Sequence, residues 1–162
     1  MSPDELLLRG TAWLSLAAWA VGEWIHVSAG GPHRESRARA SFTLGALALL
    51  LHTGLALHLR HAWSQSGALR EIARQTSELT GLDFRGGLVV NYAFLAFWLA
   101  EAFWWWRFPA RSLHRPSGVR WVSRAVFLFM FANAAIVFGH GPVRVFGTLA
   151  ILVVCASWYR GG

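Results

Sequence analysis

Five runs of apolar residues, 11–29, 41–62, 87–107, 121–139 and 143–159, constrain this chain more than any other feature. Each approaches the roughly 20 residues a helix needs to cross a hydrocarbon core about 30 Å thick. No water is present there to satisfy backbone amides, so the runs are predicted as helices. The expected fold class is all-α: one polytopic integral membrane bundle over residues 1–162, with about five transmembrane helices, four plus a short fifth. Separation of the last two rests on the FGHGP stretch, where Gly139, Gly141 and Pro142 interrupt a segment too long for a single span. A kinked or re-entrant helix is the alternative there. The acidic N-terminus, with Asp4 and Glu5, does not read as a cleavable signal peptide.

Composition agrees with a bilayer as the solvent. The hydrophobic fraction is 55% over 162 residues, and the ten tryptophans suit chain segments that end at membrane interfaces. Between the second and third runs, SGALREIARQTSELTG places Leu69, Ile72, Ala73, Thr76 and Leu79 at spacings of three and four, opposite Arg70, Glu71, Arg74 and Glu78. That pattern predicts an amphipathic helix over about 66–80, lying at the interface or over the bundle mouth, with Gly81 as its left-handed cap.

The formal charge is +7, and all fifteen basic residues are arginine, which points to a high-GC bacterial genome. The arginines fall in short segments between apolar runs and not along one basic face, so nucleic acid is excluded as the partner. Counted by side, nine (Arg34, Arg37, Arg39, Arg107, Arg111, Arg115, Arg120, Arg124, Arg160) lie opposite six (Arg9, Arg60, Arg70, Arg74, Arg85, Arg144). The positive-inside rule then predicts a bacterial inner-membrane protein with its N-terminus external and its C-terminus cytoplasmic. Cys155 is the only cysteine, so neither an intrachain disulfide nor a cysteine zinc cluster can form.

Two layers of polar residues interrupt the apolar runs. Glu23 and His26, in GEWIHVSAGG, are one helical turn apart, and Glu101 lies at the same depth, roughly 9 Å from the cytoplasmic end of its span. These three have ligand chemistry for a divalent metal; the competing reading is a set of hydrogen bonds that locks helices together. On the third span Asn91, Phe94, Trp98, Glu101 and Trp105 share one face, expected to point inward. Near the external end, His58 and His61 close the second span and His140 closes the fourth. One imidazole from each of two facing helices would ligate haem b or a transition metal, with Arg60 and Arg144 neutralising propionates. His52 is rotated by about half a turn from His61 and is not expected to join that site. His33 and His114 read as loop residues, and Trp104, Trp105 and Trp106 as an interface anchor.

These features point to a membrane protein of electron transfer or metal handling. Its rivals are a structural or assembly subunit without a cofactor, bound to other membrane subunits or to a second copy, and a small channel or proton conductor. With the expected topology, reporters fused after Arg39 and after Arg115 should register as cytoplasmic and one within residues 66–80 as external. The opposite pattern inverts the orientation.

Overall fold

The computed structural model describes residues 2–28, 31–81, 84, 86–137, 139 and 141–160. Among them are seven α-helices: α1 (Pro3–Ser28), α2 (Pro32–His61), α3 (Gln65–Thr80), α4 (Gly87–Arg107), α5 (Pro109–Leu113), α6 (Ser117–Ala132) and α7 (Pro142–Arg160). A π-helical turn, Asn133–Val137, extends α6. Four helical segments, His33–His61, Gly87–Arg107, Ser117–Val137 and Pro142–Tyr159, are long and apolar enough to cross a membrane. The helix α1 covers the first apolar run but is not among those four, because Asp4, Glu5, Arg9 and Glu23 lower its apolar content.

Two elements start earlier than the apolar runs suggested. Ser2 accepts the Glu5 amide at 3.2 Å, so the first helix opens at Pro3 and not near residue 11. The arginine-rich stretch after it is helical: Pro32 sits at the start of α2 and Glu35 in its first turn, both favourable at a helix N-terminus. His33, Arg34, Arg37 and Arg39 thus stand on a helix and not in a loop.

Helices α1 and α2 form an antiparallel hairpin with the largest interface in the bundle, tied by the Ser41 hydroxyl donating to the Ala18 carbonyl at 2.8 Å. Helix α4 returns antiparallel to α2, and α6 and α7 make a second hairpin closed by the edge contact of Trp121 with Trp158. The chain therefore does turn between Val137 and Pro142. Small residues set the spacing of α1, α2 and α4. A Cβ at Gly45 would lie 2.6 Å from the Trp98 ring and 3.1 Å from the Ser15 carbonyl oxygen, and one at Gly22 would lie 3.1 Å from the Phe42 amide. Close backbone approach of this kind is how helices associate where lipid removes the hydrophobic drive.

Around that contact the core is aromatic. Trp19 and Trp98 are fully buried, and Trp19 stacks on Phe131 at 4.7 Å, while Phe127 touches the rings of Phe42, Phe94 and Trp98. Helix α3 lies across the other end, on a small separate cluster of Leu57, Ala68, Leu88, Ile72 and Tyr92. Ser64 caps its start by accepting the Gly67 amide, and Gly81, at φ 73°, caps its end. On its exposed face Arg74 bonds both Glu71 and Glu78, and the hydrogen bond from Arg74 first, then that from Gln75, holds the Glu71 carboxyl down at about 2.

Gly45→Val should destabilise the bundle by about 2 kcal/mol or more, because the new side chain meets a locked ring and a backbone oxygen. Gly54→Ala, with nothing within 4 Å, should be neutral or mildly stabilising. Thermal unfolding in detergent compares the two.

Candidate functional site: a polar cup and a central cavity

The C-terminal ends of α1, α4 and α7 and the N-terminal ends of α2 and α6 meet in a polar cup. Glu23 and His26 do not bond each other there. The Glu23 carboxylate accepts the Trp158 indole N–H at 2.8 Å and faces Arg124 at 3.9 Å. His26 pairs with Glu35 at 3.2 Å, and the other oxygen of Glu35 accepts the Trp105 indole at 2.8 Å. Glu101 pairs with Arg115 at 2.5 Å. The Arg124 guanidinium also lies over the rings of Trp158, at 4.9 Å, and Trp121, at 5.4 Å. Each carboxylate is thus met by a basic side chain, arginine for Glu23 and Glu101 and an imidazole for Glu35, and two of them also by an indole N–H, which offsets the cost of placing these groups away from bulk water.

Glu23, His26 and Glu101 do line one cavity of about 70 Å³, together with Arg115, Arg120 and Arg124. Their oxygens and imidazole face the partners just named. Among the described residues no group of three or more His, Cys, Asp or Glu side chains is placed to hold a metal ion. Of the tryptophans in the WWW run, only Trp104 lacks a polar partner among the described residues: Trp105 reaches Glu35, and Trp106 donates to Thr43 at 2.9 Å beneath the Arg39 guanidinium.

At the far end of α2, His58 is exposed and its Nδ1 accepts the Trp63 indole at 3.1 Å, while His61 is half-buried and Arg60 exposed. Arg144 donates to the Gly139 carbonyl at 3.1 Å. His140, the opposing ligand expected from the sequence, lies outside the described residues.

A space larger than the cup lies on the other side of the aromatic layer. A cavity of about 440 Å³ is walled by α1, α2, α3, α4, the α6 terminus with its π-helical turn, and α7. Trp13, Phe94, Met130 and Phe131 give it apolar sides; Ser15, His52, Thr53, Gln75, Asn91 and Asn133 bring polar atoms to it. Ser15 is 1% exposed, and its hydroxyl has no partner among the described residues. His52 Nδ1 lies 3.0 Å from the Leu8 carbonyl and 3.2 Å from the Thr11 hydroxyl, so Nδ1 carries the proton and Nε2 remains an acceptor. The π-helical turn widens the helix just where Asn133, Ala134 and Ala135 reach the wall, a distortion common at functional sites.

Sequence reasoning missed His52 because it was judged only against the other histidines of its helix. It missed Glu35 because the surrounding arginines read as loop, although Gly-Pro followed by a glutamate is a helix-start signal. No known protein-family model, curated protein or solved structure matches the chain. What fold and site define is thus a class: an all-α bundle with four helices fit to span a membrane, a charged cup at one end and a largely apolar cavity within.

Arg115→Leu strands Glu101, and the loss should be about 1–3 kcal/mol, below that of a fully buried pair because both partners keep some exposure. Adding Glu101→Gln should recover much of it. Additive losses in the double-mutant cycle would show that the pair is not coupled.

Proposed function

We propose that the chain is a five-span bacterial inner-membrane protein, with N-terminus external and C-terminus cytoplasmic, whose central cavity holds a small neutral molecule with an apolar body and a hydrogen-bonding head. Counting α1 as a span is supported by its 26 residues, its alignment along α2, and the placement of its charges near its ends, in the first two turns and in the cup. The observation that carries the binding reading is the unpartnered Ser15 hydroxyl, buried on the wall of a cavity whose size suits a small ligand. Among the described residues, no Asp, Glu, Lys or Arg lines that cavity. An ionised ligand would lack a counter-charge, and haem propionates would lack their arginines, so the occupant is neutral. Among the described residues His52 is the single imidazole there, without a carboxylate beside it, which favours binding over acid–base chemistry.

Purified full-length protein in mild detergent, analysed by native mass spectrometry and solvent extraction, should carry a neutral molecule near stoichiometry. Ala134→Phe, which fills the cavity, should release it while leaving the protein folded, and Asn91→Leu should weaken its retention. A Soret band lost in His140→Ala would instead support haem b at His58 or His61 with His140. Protein free of both, but isolated with other subunits, would favour the structural or assembly role and sink the cavity reading.

A further inference from the structure

We infer that the polar cup is a binding site for a single phosphate-class oxyanion, either the phosphodiester of a lipid headgroup or a soluble phosphate. This goes beyond the cavity reading and does not depend on it, since the layer of Trp19, Trp98 and Phe127 lies between the two spaces.

Charge is the starting point. Three guanidinium groups (Arg115, Arg120, Arg124) line the cup against two carboxylates (Glu23, Glu101), and His26 is already matched by Glu35. Glu101 takes Arg115 and Glu23 takes Arg124, which leaves Arg120 without an ion pair among the described residues. The surplus among these groups is one guanidinium, that of the exposed Arg120, at the edge of a space of about 70 Å³, of the order of one small tetrahedral ion and too small for a nucleotide. A neutral occupant would leave that surplus uncompensated; a divalent cation would be repelled by it.

The hydrogen-bonding inventory points the same way. Ser112 lines the cup, and its buried hydroxyl has no partner among the described residues. The Ser123 hydroxyl lines it from α6 and makes no hydrogen bond to the described residues. Only one N–H of Arg115 and, at 3.9 Å, one of Arg124 are directed at carboxylates, so both guanidinium groups keep donors in reserve. Spare donors from two hydroxyls and three guanidinium groups, with one net positive charge, are what a phosphate monoanion or phosphodiester takes up, since it offers several acceptor oxygens and accepts charge-assisted bonds from arginine. The Trp158 indole holds the Glu23 carboxylate and Arg115 holds that of Glu101, keeping both from competing for Arg120.

The test uses full-length protein in detergent with two probes, inorganic phosphate and phosphatidylglycerol in mixed micelles, and diacylglycerol as the phosphate-free lipid. Wild-type protein should bind at least one phosphate-bearing probe and show no comparable binding of diacylglycerol. Binding of inorganic phosphate assigns the site to a soluble anion; binding of phosphatidylglycerol alone assigns it to a headgroup, and either supports the inference. Arg120→Gln, at an exposed position with no ion pair among the described residues, should weaken the bound probe about tenfold with unliganded Tm unchanged. Ser112→Ala should weaken it about threefold. Arg34→Gln, on the same end but outside the cup, should bind as wild type. Failure of both probes, full affinity in Arg120→Gln, or equal loss in Arg34→Gln would each overturn the inference.

Discussion

The bundle depends on the contact at Gly45, where α1, α2 and α4 approach so closely that the Trp98 ring and the Ser15 carbonyl occupy the space a side chain would need. Trp98 is fully buried as a result, and it carries the aromatic layer formed with Phe42, Phe94, Phe127 and Phe131. That layer seals the middle of the molecule. On one side of it, side chains can carry charge because they are near water; on the other, a larger space forms because α4 and α6 are joined by rings and not by close backbone packing. One small residue thus fixes the spacing from which both spaces follow.

The cup shows how carboxylates at one end of the bundle are matched by partners on other elements. Two glutamates receive a tryptophan N–H, and all three face a basic group drawn from another helix or from the segment after α5. An indole donor supplies a hydrogen bond while its ring continues the apolar packing, so the same residue serves the polar cup and the core. Arginines counted first as markers of membrane orientation turn out to be internal counter-ions: Arg115 and Arg124 are each four-fifths or more buried at the side chain. The two roles are compatible, because arginines at a helix end are also those nearest an inward-facing glutamate at that end.

Much of the fold was legible in the sequence because hydropathy, glycine and proline act locally. The amphipathic α3, the turn before Pro142 and the inward face carrying Phe94, Trp98 and Trp105 follow from spacing alone. The extents of α1 and α2 did not, since Ser2 and Pro32 start helices in polar sequence, where hydropathy gives no signal. The pairings in the cup were illegible for a different reason. Glu23 meets Trp158 across 135 positions and Trp105 meets Glu35 across 70, distances over which residue spacing on one helix says nothing. His52 was set aside on rotation within α2, and its place on the cavity wall is decided by neighbours on α1 and α3 that only the packed bundle reveals.

Helix α3 caps its own ends, pairs its own charges and rests on a cluster separate from the main core. Among the described residues, what ties it to the bundle includes the contacts of Leu57, Ala68, Leu88, Ile72 and Tyr92 and the Tyr92 hydroxyl bond to Gln65. Since Ile72 and Gln75 form part of the wall of the central cavity, the element with the smallest stake in the core is also one that encloses the cavity. The molecule is in this sense two cooperative units of unequal stability, and the weaker one can yield at a free-energy cost well below that of unfolding the bundle.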